Sequence, residues 1–232
     1  YGPGGTRTAS GTIEVAPPPF VMFEKITKLG GPCRSAALSG DILFVQKGGT
    51  VESVDVTEPA MPSFLGRIDC EGLVHDIAAA GGYLYVSDDA GLNVIDASDP
   101  AGMTRVGGVA GLAGAKLAFT GHFVVGAAGA SGLWVIDIAD QSAPLPVAHL
   151  SPEKWTASYL SISGSYAVVT GWISGGVQGM WVIDLTDPLA PVETALFETS
   201  AFPTEVALSG DMAYLVLDPG GMHVIDLSDP SN

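Results

Sequence analysis

A ring of chemically mixed residues recurs at a fixed distance before a repeated glycine. Counting five residues back from Gly40, Gly81, Gly121, Gly164 and Gly210 gives Ser35, Asp76, Lys116, Tyr159 and Glu205. One residue earlier stand Arg34, His75, Ala115, Ser158 and Thr204. Asp76 and Glu205 are the carboxylates of this ring. Glycoside hydrolysis needs a proton donor and a second carboxylate flanking the scissile bond, so the pair defines one testable chemistry, inversion at a sugar centre. A separation beyond roughly 10 Å, or a bridging Lys116, would prevent it. The same residues could bind without reacting, or simply line a water-filled channel. Two thiols, Cys33 and Cys70, carry no acid–base partner pattern, so nucleophilic catalysis is not expected of them. If they met as a disulfide, the loop they close would be worth about 4 kcal/mol and would suit an oxidising compartment; nothing in the spacing decides whether they meet. The recurring Asp-Pro turns and the pair Asp88–Asp89 read as turn caps and a solvated loop rather than metal ligands. No EF-hand, HExxH, CxxC or Walker spacing occurs, and no metal or cofactor is expected.

The elements that would position this ring are written in repeats. "TVESVDVTEP", "GLNVIDASDP", "GLWVIDIADQ", "GMWVIDLTDP" and "GMHVIDLSDP" share aspartates at Asp55, Asp96, Asp137, Asp184 and Asp226, spaced 41, 41, 47 and 42 residues apart. Each follows a marker glycine in "LSGDILFV", "AAGGYLYV", "FTGHFVVG", "ISGSYAVV" or "LSGDMAYLV". Two markers in phase over five copies define a repeat architecture. Each copy holds four stretches of strand character, in the second "HDIAAA", "YLYVS", "LNVIDA" and "MTRVGGVA", separated by Gly, Asp and Pro. In "LWVIDI", Leu133 and Val135 point one way and Trp134, Ile136 and Ile138 the other. Strands apolar on both faces belong to a sheet packed between two neighbours. Radially stacked four-stranded antiparallel sheets meet that demand, so an all-β fold, a β-propeller of five blades, is expected.

"GLNVIDASDP" and its relatives, following the SG-x-Y-x-x-V pattern, resemble the LVIVD repeat of bacterial and archaeal surface proteins, over about residues 21 to 230. Copy one departs from it with Glu52 and Ser53 inside the strand, and copy three replaces the SDP turn by Ala139, Asp140 and Gln141. The resemblance implies a propeller on the cell exterior, in an extracellular, cell-surface or periplasmic setting with any signal peptide removed. It implies no catalytic activity.

The last copy stops after three strands, at "SDPSN". "FEKITKLGG" (23–31) matches the fourth strand of copy one, "FLGRIDCEG" (64–72), at an offset of 41. Residues 23–29 are therefore expected to complete the fifth blade beside residues 222–227, closing the ring by hydrogen bonds. The rival is a larger propeller whose other blades lie outside this chain. Residues 1–20 form an arm and 21–232 the propeller domain. One end of the blades, the upper one, carries the entries to the first strands and the hairpins between second and third strands; the SDP turns lie at the other. From marker glycine to marker aspartate the copies span 15, 15, 16, 20 and 16 residues. The long fourth span carries Trp172 in an enlarged upper loop, with Trp155 expected nearby, either as binding surface or as a cover for the blade edge. Contact is expected around Trp155, Tyr159 and Trp172, with Arg34, His75, Asp76, Lys116 and Glu205 at the channel mouth.

Bulk composition narrows the rest. Net charge is −16 with only 9 Lys and Arg, a field that repels nucleic acid and anionic lipid and favours a cationic or neutral partner. No apolar run reaches the roughly 18 residues needed to span a bilayer. The leading expectation is a non-enzymatic binding or assembly module for a protein or surface glycan. The alternatives are the glycoside hydrolase above and a purely structural subunit of a surface assembly, which would tolerate loss of Trp172 but not of residues 1–20.

Overall fold

A computed structural model describes residues 33–151, 155–173 and 176–228, with Trp155 and Ile173 described in backbone only. Every regular element among them is a β-strand. The first sheet is β1 (Ala36–Ser39), β2 (Ile42–Lys47), β3 (Thr50–Asp55) and β4 (Ser63–Asp69). The second is β5 (Val74–Ala80), β6 (Tyr83–Asp88), β7 (Leu92–Asp96) and β8 (Thr104–Val109). The third is β9 (Lys116–Thr120), β10 (Phe123–Ala127), β11 (Leu133–Asp137) and β12 (Leu145–Leu150). The fourth is β13 (Trp155–Ser163), β14 (Tyr166–Ile173), β15 (Gln178–Asp184) and β16 (Val192–Thr199). The fifth is β17 (Phe202–Ser209), β18 (Met212–Asp218) and β19 (Gly221–Asp226). Each is an antiparallel meander in chain order, four with four strands and the last with three. The expected fourth partner of β19, residues 23–29, lies outside the described residues, as does the 1–20 arm.

The marker glycines explain the first turn of every sheet. Gly40, Gly81, Gly121, Gly164 and Gly210 all adopt φ of 57–60°, the left-handed region that a Cβ disfavours. Each opens a two-residue hairpin, as in Ser39↔Ile42 and Ser163↔Tyr166. Four of the five have a second residue with negative φ, the type II′ geometry whose twist matches the strands.

Consecutive sheets stack face to face, and the period-2 alternation sends neighbouring side chains to opposite partners. Leu84 and Val86 pack toward the first sheet with Phe44 and Val51, while Tyr85 and Val94 pack toward the third with Val124 and Ile136. Leu133 and Val135 meet Val169, Trp181 and Ile183 of the fourth sheet, whereas Trp134, Ile136 and Ile138 face the second. Val168, Met180 and Val182 meet Leu215 and Val206 of the fifth. The two-sided burial read from "LWVIDI" is therefore observed. Each fully buried aliphatic or aromatic side chain contributes about 1.5–3 kcal/mol, so four such seams carry the fold. Copy one's polar departures are accommodated: Glu52 pairs with Lys47, and the buried Ser53 hydroxyl lies 2.6 Å from Pro100 O and 3.1 Å from Gly66 O.

Candidate functional site

The two ends of the sheets differ in kind. At the SDP end all five copies repeat one device. The carboxylates of Asp55, Asp96, Asp137, Asp184 and Asp226 each accept the amide two residues on, at 2.7–2.9 Å. Asp99, Asp140 and Asp187 cap the following turn in the same way. These turns lie against the preceding sheet: a Cβ on Gly66 would meet Pro100 O at 2.7 Å, and one on Gly107 would meet Gln141 O at 2.3 Å. This end is a spacer between sheets. The turn hydroxyls and amides, of Thr57, Ser98 and Thr186, hold the Asp55, Asp96 and Asp184 carboxyls below the usual value of 3.8; at Asp226 the Ser228 amide leads and its hydroxyl follows. A lowered folded pKa contributes stability that is present above the unfolded value and lost as pH falls through the folded one. Melting temperature is therefore expected to fall on acidification below about pH 4, and Asp96→Ala to flatten that acid limb in a pH series of thermal melts.

At the upper end every copy does something different. Gly48–Gly49, Asp88–Gly91, Ala128–Gly132, the extended β14–β15 hairpin and Pro219–Gly221 fill the same place in successive sheets. Asp88 is fully buried, a correction to its reading as a solvated loop residue. Its carboxylate accepts the amides of Glu71 (3.1 Å), Ala90 (2.8 Å) and Gly91 (3.1 Å). Asp89 is exposed, accepts the Leu73 amide at 2.9 Å and meets His75 Nε2 at 2.7 Å. The His75 hydrogen bond, ahead of the Leu73 amide, keeps the Asp89 carboxyl below its ordinary range.

Here also lies a cavity of about 480 Å³ to which all five sheets contribute. Arg34 and His75 come from the entries to β1 and β5, Lys116 from the start of β9, and Tyr159 from β13. Trp172 comes from the end of β14 and Phe202 from the start of β17. Five residues expected from the sequence, Arg34, His75, Lys116, Tyr159 and Trp172, thus share one cavity. Two others, Asp76 and Glu205, do not line it. Asp76 lies at its margin, its side chain 15% exposed, with its oxygens committed. Oδ1 accepts the Ser35 hydroxyl at 2.8 Å and sits 3.5 Å from Lys116 Nζ, while Oδ2 accepts the Leu117 amide at 2.9 Å. Asp76 thereby ties together the first strands of three successive sheets. Glu205 is exposed and turns onto the amide of Val206 (3.3 Å), outside the lining. The side chain of Trp155 lies outside the described residues.

Bulges aim this lining. Registers shift between Val74 and Asp76, between Ala157 and Tyr159, and between Pro203 and Glu205. The residue without a ladder partner is His75, Ser158 or Thr204, at the position six before each marker glycine. A bulge re-aims its side chains, and His75 and Ser158 both reach the cavity. Trp172 is not in a loop, as the span length suggested. The longer fourth copy is spent on longer strands, and Trp172 pairs in register with Thr156 and Gln178. Its ring is 40% exposed and leans on Phe202, centroids 5.6 Å apart at 41°. Phe202 and Thr156 were not anticipated. Both stand eight residues before a marker glycine, so extending the count by two positions beyond Arg34 and His75 would have found them.

The cysteines do not pair. Cys33 and Cys70 are free thiols. Cys33 Sγ points to Ser35 O at 3.2 Å, while Cys70 packs beside the core between the first two sheets. Burial, then the charges of Asp88 and Asp69, push the Cys70 thiol up to about 11. Among the described residues no group of three or more His, Cys, Asp or Glu side chains is placed to hold a metal ion. No helix among them is long and apolar enough to cross a membrane.

None of the curated proteins matches the chain. The family described as the LVIVD repeat matches residues 71–110 and 204–232, which are the second copy, from just before β5 into the turn after β8, and the last copy with its three strands. Both matched segments coincide with sheets of the observed fold, and in these two segments the chain is similar to the LVIVD repeat.

Proposed function

We propose that this chain is a non-enzymatic binding module, a five-bladed propeller acting outside the cytoplasm as a rigid platform for a protein or surface glycan. The propeller reading rests on five like sheets stacked in sequence and on the edge of β19, which has no strand beside it among the described residues and where Met222 and Val224 are 60% and 52% exposed. Residues 23–29 have the sequence to cover that edge. The observation that carries the binding reading is the cavity: the end of the sheets where the repeats diverge is the end where all five converge on one concave site. Framework at one end and variation at the other is how rigid scaffolds carry recognition. A hydrolase at this site would need Asp76 free, and Asp76 is engaged between strands.

Trp172→Ala is expected to weaken capture of the natural partner from surface extract about thirtyfold, as loss of a central aromatic anchor does. Asp187→Ala, at the SDP end, is expected to lower the melting temperature and leave capture unchanged. Capture that survives Trp172→Ala but is lost when the SDP end is blocked would place the interface on the wrong side of the molecule.

A further inference from the structure

The charged side chains that line the cavity are basic, in a chain that is acidic overall. Net charge is −16 and the sequence has only 9 Lys and Arg, of which five, Arg34, Lys47, Arg67, Arg105 and Lys116, fall among the described residues. Two of those five, Arg34 and Lys116, line this one cavity together with His75, and no carboxylate lines it. Asp76 and Asp89 hold Lys116 and His75 from outside the lining. They orient these donors, and Asp76 offsets part of the Lys116 charge. Arg34 is different. Its amide donates to Gln46 Oε1 at 2.8 Å, but among the described residues its guanidinium meets no carboxylate, although the chain has 25 Asp and Glu to offer. An exposed guanidinium is a ready fork for a carboxylate. The same cavity is lined by three aromatic residues, Tyr159, Trp172 and Phe202, of which Trp172 leans on Phe202. Its volume lies within the roughly 300–1,000 Å³ of sites that take small rings rather than flat protein surfaces.

Resting on the binding-module reading above, we propose that the cavity takes an acidic saccharide. A uronate carboxylate would be held by Arg34, with Lys116 and His75 beside it, and the apolar face of a sugar ring would lie on Trp172 and Phe202. Net charge alone favours a cationic or neutral partner; a lining within contact range of the ligand outweighs charges beyond the roughly 8–10 Å screening length.

The test is calorimetric titration of the full chain with oligogalacturonate, oligomannuronate and oligoglucuronate, each beside its neutral methyl ester. At least one acid is expected to bind about tenfold or more tightly than its ester. Arg34→Glu is expected to erase that preference, and Arg34→Gln to reduce it, while Trp172→Ala weakens acid and ester alike. Equal binding of acid and ester would overturn the charge assignment and leave a sugar site standing. No binding of any saccharide, with extract capture still lost in Trp172→Ala, would overturn the acidic-sugar proposal but not the binding module. Extract capture indifferent to Trp172→Ala would overturn the module reading itself.

Discussion

Asp88→Ala is expected to destabilise the protein by about 3–5 kcal/mol. The carboxylate is inaccessible to solvent and is the acceptor for three backbone amides. The buried Gly91 amide left without a partner costs about 1–3 kcal/mol, and the part-buried amides of Glu71 and Ala90 add to this, less what water recovers at those two exposed residues. The loss also reaches beyond one turn. Glu71 lies on the connection into β5, Ala90 and Gly91 join β6 to β7, and the Asp88 carbonyl accepts Gly114 on the way into β9. For a chain of this length each kcal/mol moves the melting temperature by about 2–4 °C, so a drop of roughly 10 °C is expected. Asp88→Asn should lose less, because one oxygen still accepts while the new NH2 confronts an amide donor. Thermal and urea melts of both variants decide the matter. An Asp88→Ala protein that melts within 2 °C of the parent would show that water replaces the carboxylate outright.

Deleting residues 1–30 is expected to abolish cooperative unfolding, and deleting 1–20 to leave it unchanged. The fifth sheet ends at β19, whose outer edge has no strand beside it among the described residues. In the proposed pairing, Phe23, Ile26 and Leu29 supply three apolar side chains at about 1.5–3 kcal/mol each. That is comparable with the roughly 5–15 kcal/mol that holds a whole domain together. A peptide of residues 21–31 added to the 1–30 truncation should restore a cooperative melt by filling the same edge. A truncation that melts like the intact chain would remove the closure, and with it the argument for five blades.

How much of this was legible beforehand follows from the range of the interactions involved. The SDP turns could be read directly because an aspartate reaching the amide two residues on is complete within four residues of chain. The same holds for the marker glycines, whose left-handed φ is a local demand of a two-residue hairpin. Two-sided burial of "LWVIDI" was equally legible, since alternation along one strand already states that both faces are covered. Asp88 was misread because its acceptors' partners, Glu71 and Gly91, lie on two different connections, and only their convergence turns an apparently solvated carboxylate into a buried one. Trp172 was misplaced because a longer span can lengthen either a loop or its flanking strands. Ladder pairing with Thr156 and Gln178 chose the strands. Cys33 and Cys70 share an end of adjacent sheets, yet whether two thiols meet depends on side-chain direction that no spacing encodes.

The sequence by itself determined the repeat, the all-β sheets and the turns at the SDP end, because each is a sum of contacts within one copy. The cavity is a different kind of object. It exists only where five sheets are set side by side, and each sheet adds to it one or a few residues from a position that is ordinary in isolation. Arg34 meets no carboxylate among the described residues, and Lys116 and Trp172 line one cavity, because neighbouring sheets are held at fixed offsets by their apolar seams. The tertiary structure alone decided which charged side chains line the site, since contact-range geometry, and not the summed charge of the chain, sets the field a ligand meets.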